Sequence, residues 1–279
     1  MEAAAEETRL ADHSMTTELI EREKMLSTYE GPDRIVKSTE IRQLLAQQKS
    51  PFSFLSKIPS LDDAIEGFEA GEVVTVSGLT GQGKTTLCQT LSWNLFLQSI
   101  RALWFSFEMT YRQFLRKLPD ELFVFMPLEL KGRSIEWLRD RIHEAKIKHQ
   151  VRAVFIDHLH FLVDMAKIRN PSLEIGAIVR KLKNIALELN VTIFLIAHTT
   201  KTRFDEEPEL DSIRDSSFIP QDSDIVLIVW RAKDKATGEF TNKTIVKVCK
   251  SRRTGTMGKK VVLAYRNGIY VEEDARYDR

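Results

Sequence analysis

From about residue 71 onward the chain alternates between continuous apolar runs and amphipathic stretches. The apolar runs lie near residues 73–77, 102–107, 121–125, 152–157 and 191–197, and each predicts a strand. The stretches near 84–98, 110–118, 134–148 and 172–189 predict helices between them. Strands that are apolar throughout rather than alternating are buried on both faces, which requires helices on both sides of a parallel sheet. After about residue 222 the helical spacing stops. Ile225 to Trp230, Thr244 to Cys249 and Val261 to Tyr265 read as further strands, and Asn267-Gly268 before Ile269-Tyr270 is a two-residue hairpin signal. The expected fold class is α/β, with a mostly parallel central sheet extended by C-terminal antiparallel strands.

The first part of the chain is patterned differently. Residues 1 to about 31 carry many glutamates and few large apolar side chains, and they close on Glu30-Gly31-Pro32, so a loosely packed arm with some helical tendency is expected. Ser38 can cap a short helix whose Ile41, Leu44 and Leu45 make a narrow apolar stripe. That stripe is too small for a core and packs either on the chain's own main domain or on a neighbouring subunit. The expected division is an arm and short helix over 1–50 and one large domain over 51–279.

Composition sharpens this outline only in places. A length of 279 residues with 43% hydrophobic content supports one large α/β domain. The formal net charge of +1 gives no overall attraction to polyanions, so a nucleic-acid contact has to come from local basic clusters. Of the two cysteines, Cys88 falls in a predicted helix and Cys249 in a late strand, which reads as reduced core thiols in an intracellular setting. No apolar run is long enough to span a bilayer, and the acidic, polar N-terminus is unlike a secretory leader, so neither a membrane partner nor secretion is expected.

Candidate chemistry enters with Gly78-Leu79-Thr80-Gly81-Gln82-Gly83-Lys84-Thr85, which fits the phosphate-loop pattern G-x-x-x-x-G-K-[ST]. It follows the apolar run Val73 to Val76 and precedes a helical run containing Leu87, Leu91 and Leu95, so strand, loop and helix come in the required order. Glycines let successive backbone N–H groups turn toward phosphate oxygens, and the helix adds its positive N-terminal end. Lys84 is placed for the β- and γ-phosphates and the Thr85 hydroxyl for Mg²⁺. Gly78, Thr80, Gly81, Gln82, Gly83, Lys84, Thr85 and Thr86 are therefore the residues expected against a nucleotide.

Other strands supply polar groups at their C-terminal ends, the edge where ligands bind on a parallel sheet. Asp157 closes Val154-Phe155-Ile156-Asp157 and is the candidate partner of Mg²⁺. Glu108 follows Trp104-Phe105-Ser106-Phe107 and is the candidate general base; its ordinary alternative is an early-helix carboxylate. His198 ends the run Val191 to Ala197 and can hydrogen-bond a phosphate oxygen or the attacking water. Lys250 and Arg252 project from one side of an extended segment. They can stabilise charge on a transferring phosphoryl group, or make a solvated basic hairpin or a phosphate-backbone contact, and spacing leaves these readings open.

The ordered set GLTGQGKTT, FSFEM, VFIDHLHFL, LNVTIFLIAHTTK, IRDSSFIPQDSDIVLIVWR and VKVCKSRRTG resembles the RecA-like motor domain of the hexameric replicative helicases. These form the DnaB-like group that includes mitochondrial Twinkle, and the resemblance covers about residues 55–272. It implies a RecA-like P-loop NTPase fold and an ATP-dependent DNA helicase or translocase acting on single-stranded DNA as a ring, in form a hexamer, with ATP and Mg²⁺ as cofactors. It implies Glu108 as base, Asp157 as Mg²⁺-linked residue and His198 as γ-phosphate sensor, with Lys250 and Arg252 reaching a neighbouring subunit's site. Lys167 and Arg169 in one loop, and Lys201 and Arg203 in the next, would contact DNA phosphates. Arg214, Gln221 and Asp222 would couple nucleotide state to the second loop, and a primase or other replisome component becomes a candidate partner. Histidine at position 198 looks like Twinkle, and His158 stands where relatives commonly have tyrosine or asparagine. The chain lacks the family's N-terminal primase or collar domain, so it reads as a stand-alone motor or a fragment, and its short helix matches the family's linker helix in position. Two other classes stay open: a RecA- or KaiC-like DNA-dependent ATPase forming filaments or scaffolds, and a helicase-loader or repair-accessory ATPase.

Overall fold

The computed structural model describes residues 17–47, 50–130, 134–162, 171–198, 218–234 and 237–273. It divides into two compact units, Met1–Ser50 and Pro51–Arg279. In the first, residues 17–27 form helix α1 and Ser38–Gln47 form α2. Arg34 pairs with Glu30 at 3.4 Å and Glu40 at 2.9 Å between them, and the Tyr29 hydroxyl donates to the Asp33 carboxylate. Ile41, Leu44 and Leu45 are exposed, and α2 buries no residue.

The second unit runs β1 (Ser53–Phe54), α3 (Pro59–Ile65), β2 (Phe68–Glu69), β3 (Val73–Gly78), α4 (Lys84–Leu97), β4 (Ala102–Ser106), α5 (Tyr111–Leu115) and α6 (Ile135–His149). There follow β5 (Ala153–Asp157), a 3-10 turn (Leu159–Leu162), α7 (Pro171–Leu189), β6 (Thr192–His198), α8 (Phe218–Asp222), β7 (Ile225–Lys233), β8 (Phe240–Ser251), β9 (Lys259–Arg266) and β10 (Ile269–Glu272). One eight-stranded sheet carries the fold in the order β10-β9-β8-β7-β3-β6-β5-β4. The five strands β7, β3, β6, β5 and β4 are parallel, and β8, β9 and β10 are added antiparallel. This is the parallel core with an antiparallel extension that the patterning predicts. β1 and β2 form a separate antiparallel pair. Among the described residues no helix is long and apolar enough to cross a membrane.

Each parallel strand sends alternate residues to two cores. Val74, Val76, Phe155, Phe194 and Ile196 face α4 through Leu87, Leu91 and Leu95. Val73, Val154, Ile156, Ile193 and Leu195 face Leu138 and Ile142 of α6 and Val179 and Leu182 of α7. Burial on both sides explains why these strands are apolar on both faces rather than alternating with polar residues. Register sets Trp104, Phe155 and Phe194 side by side across β4, β5 and β6, with stacked ring centroids 4.7 and 4.5 Å apart. The Trp104 indole N–H donates to Ser92 Oγ on α4 at 2.9 Å. This row locks together three strands whose ends carry the candidate chemistry.

Local signals account for the helix starts. Thr110 and Gln113 make a reciprocal capping box at α5, and Ser134 accepts the Trp137 N–H at the start of α6. The hairpin at Asn267-Gly268 forms with φ of 50° and 87°, joining Arg266 to its partner Ile269. The expected strand over 121–125 does not form. Only Phe125 bridges Leu103, accepting from Trp104 N at 2.8 Å and donating to Ala102 O at 2.9 Å. Pro119 and Pro127 bracket the segment and remove backbone donors, so pairing on the edge strand β4 stops after one residue. The helix expected over 110–118 ends at Leu115 and continues only as turns through Lys117.

Candidate active site

The loop between β3 and α4 has a shape that two of its glycines make possible. A Cβ on Gly78, at φ 153°, would sit 2.3 Å from the Val229 carbonyl oxygen. One on Gly83, at φ 97°, would sit 2.1 Å from the Tyr270 hydroxyl. Gly81, in contrast, faces open space, with nothing within 4 Å of its Cβ position. The loop is thus pressed against the sheet at both ends and open at its middle, the geometry of a backbone cradle for an anion. Gln82 is buried and accepts the Arg231 N–H of β7 at 2.8 Å through its side-chain oxygen, so its side chain ties the loop to the sheet.

Inside this cradle the Lys84 ammonium donates to the carbonyls of Gly78 and Leu79, each at 2.9 Å. Burial lowers its pKa to about 8, against the opposing pull of Asp157 and Glu108. The Thr85 hydroxyl donates to Asp157 Oδ2 at 2.9 Å. Asp157 Oδ1 is buried with no hydrogen-bond partner among the described residues. Burial raises the Asp157 pKa to about 6, with the Thr85 hydrogen bond acting in the other direction. An unpartnered carboxylate oxygen beside a hydroxyl is an all-oxygen donor set of the kind Mg²⁺ takes, so these residues fit that ion. Thr86, next along the helix, hydrogen-bonds the Tyr270 side chain.

The other strand ends converge on the same edge. His198 pairs in register with Gly78, and the Thr80 hydroxyl lies 3.5 Å from its Nδ1. Asp157 pairs with Ser106, and the Phe107 N–H donates to the Asp157 carbonyl at 2.7 Å, which fixes the segment carrying Glu108. Glu108 is exposed. His158, immediately after Asp157, packs edge-on against His198 with ring centroids 4.4 Å apart. The structure therefore gathers Lys84, Thr85, Glu108, Asp157 and His198 at one edge.

Lys250 and Arg252 lie elsewhere. Ile225, the first residue of β7, pairs with both Val74 and Ser251, so the end of β8 sits at the start of β3, and the strand rise leaves roughly 13 Å between that level and Gly78. Lys250 donates to the carbonyls of Pro220, Gln221 and Ser223 at 2.6, 3.1 and 2.8 Å, and burial lowers its pKa. Arg252 reaches Asp224 at 3.2 Å and the Gln221 carbonyl at 2.9 Å, with half its side chain exposed. Asp222 pairs with Arg180 at 3.2 Å. Lys167, Arg169, Lys201, Arg203 and Arg214 lie outside the described residues.

Tyr270 and Arg231 escape a reading of the sequence as residues of this site, because both reach the loop from strands more than a hundred positions away. The Asn267-Gly268 signal marks the turn that presents Tyr270, but not what it touches. His158 is visible in the sequence only as the neighbour of Asp157; that its ring meets His198 depends on the pairing of strands.

The model of the DnaB-like helicase C terminal domain matches residues 123–271. The replicative DNA helicase DnaB of Rickettsia conorii is 26% identical over 268 residues, covering 78% of this chain and 54% of that protein. The chain spans about half the length of the curated relatives it matches. Among solved structures, a separately solved ATPase domain superposes with a TM-score of 0.69 at 20% identity, over 85% of this chain and 97% of that one. A DnaB-like replicative helicase, described together with its interactions with primase, gives 0.70 at 19%, over 95% and 76%. At these identities the structures share the fold, which is that of a RecA-like ATPase domain.

Proposed function

This chain belongs to the DnaB-like helicase C-terminal domain family, and from that premise we propose that it is an ATP-driven motor that moves along single-stranded DNA as a ring of identical subunits and unwinds duplex. The observation that carries the reading is the separation of two half-sites. The phosphate loop, Glu108 and His198 lie at one edge of the sheet, and Lys250 and Arg252 lie at the other. A subunit with both halves but no route between them in its own fold is suited to a cyclic assembly in which each copy completes the next one's site.

Within that reading the loop residues Gly78 to Thr86 hold the phosphates of ATP and Lys84 neutralises them. Bound between Thr85 and Asp157, Mg²⁺ would supply charge neutralisation on the phosphates. Glu108 takes a proton from the attacking water, and its exposed position lets it reach the water. His198 holds a hydrogen bond at the strand end next to Gly78, where it registers the γ-phosphate. Lys250 and Arg252, from the adjacent copy, stabilise developing charge. Lys167, Arg169, Lys201 and Arg203 contact DNA phosphates without reading bases, and Arg214, Gln221 and Asp222 couple the nucleotide to that contact. A primase or another replisome component is the proposed partner protein.

The test is Arg252→Ala. Hydrolysis is expected to fall by about 10³-fold or more while nucleotide affinity stays within a few-fold, and mixing with Glu108→Gln subunits is expected to restore part of the rate. Unchanged turnover in Arg252→Ala protein removes the shared site, and electron microscopy showing open filaments in place of closed rings removes the ring.

A further inference from the structure

Glu108, His158 and His198 place one carboxylate and two imidazoles beside the phosphate loop, with one ligand atom from each lying within 4.8 Å of the others. We propose that these three residues form a binding site for a borderline divalent cation, Zn²⁺ foremost, separate from the all-oxygen site at Thr85 and Asp157.

Four features carry the assignment. The ligands come from the ends of β4, β5 and β6, which are adjacent in the sheet, and the stacked row Trp104, Phe155 and Phe194 fixes those strands laterally. Neighbouring strands are about 4.8 Å apart, so ligands at successive strand ends need little movement to meet one ion. Donor atoms around tetrahedral Zn²⁺ stand about 3.4 Å apart, and the exposed Glu108 side chain can close the remaining distance. The donor set is also selective. Two imidazole nitrogens with one carboxylate suit Zn²⁺ and its first-row neighbours, whereas Mg²⁺ prefers oxygen alone. The Thr80 hydroxyl at 3.5 Å from His198 Nδ1 is a contact of the kind that orients a metal-binding ring. Both histidines are half-buried and Glu108 is exposed, so an ion has an entry path and a fourth position open to water or another oxygen.

The consequence rests on the motor reading above: an ion held here withdraws Glu108 and His198 from hydrolysis, so Zn²⁺ stalls the motor with nucleotide bound. The test uses the full chain without nucleotide, titrated with Zn²⁺ against a chromophoric chelator. One Zn²⁺ per chain is expected, with affinity falling on the order of 100-fold in His158→Asn and in His198→Asn and unchanged in His149→Asn. Circular dichroism verifies that each variant is folded, and the Co²⁺-loaded chain is expected to absorb visible light with the intensity of a four-coordinate site. With Mg²⁺-ATP present, Zn²⁺ is expected to inhibit the native chain and to lose that effect in His158→Asn, relative to the variant's own zinc-free rate. No bound Zn²⁺, or binding unchanged in both histidine variants, overturns the site. A chain that binds Zn²⁺ through these histidines and never hydrolyses ATP upholds the site and refutes the motor; one that hydrolyses ATP and binds no Zn²⁺ does the reverse.

Discussion

Asp157 works against the fold that holds it. It is buried at a strand end where, among the described residues, Thr85 hydrogen-bonds one carboxylate oxygen and the other has no hydrogen-bond partner, and burial lifts its pKa from 3.8 to about 6. A carboxyl whose folded pKa lies above its unfolded value keeps a proton in the folded state through that window, so stability falls as pH rises from about 4 to 6. Above pH 6 the full penalty, on the order of 3 kcal/mol, remains. Asp157→Asn keeps an acceptor for the Thr85 hydroxyl and carries no charge. In the absence of nucleotide it is expected to melt at a higher temperature than the native chain near neutral pH and at about the same temperature near pH 4, while losing hydrolysis. Calorimetry at the two pH values checks this, and a variant less stable at neutral pH would refute it. Lys84 contributes the opposite slope: its pKa is lowered from 10.5 to about 8, so its penalty is largest below 8 and stability rises with pH across that interval. The positions of both residues are legible in the sequence, since each sits at a fixed offset from a strand. The unpartnered oxygen is not, because it depends on which groups fail to arrive.

Among the elements, β10 holds the phosphate loop from beneath. Its Tyr270 N–H donates to Thr90 Oγ1 at 2.9 Å, and its side chain hydrogen-bonds Thr86 and Thr244 while filling the space where a Gly83 side chain would stand. Gly83→Ala therefore meets two obstacles, the positive φ and the hydroxyl, and is expected to destabilise the fold by roughly 2–3 kcal/mol. Tyr270→Phe in the same chain removes the hydroxyl and is expected to recover part of that loss in denaturant unfolding. A strictly additive double variant would show that the close approach is not the cause. The sequence is informative about elements wherever a periodicity runs long or a turn needs positive φ: α7 and the Asn267-Gly268 hairpin form as predicted. The run 121–125 misleads, because its apolar β-formers have the composition of a strand, while Pro127, two residues past the single bridge at Phe125, has no N–H to continue the pairing.

At the scale of the whole molecule, Lys250 and Arg252 lie far from the chain's own phosphate loop, and on the proposed reading, in which they complete a neighbouring copy's site, hydrolysis is a property of assembly. Specific activity is then expected to rise with protein concentration and level off once rings form, and to track the oligomer measured by mass under the same conditions. Constant specific activity down to concentrations at which only monomer is present would count against the shared site. The motif order, the alternation of strands and helices and the glycines of the loop were all determined by the sequence itself, since each depends on neighbours a few positions apart or on backbone angles few residues adopt. Tertiary structure alone decided the sheet order, the meeting of His158 with His198, the seating of Tyr270 under Gly83 and the parting of the two cationic residues from the loop. Those depend on strand register between segments such as Val73 and Asp224, 151 positions apart, and register is set by the packing of both sheet faces together, which no local pattern encodes.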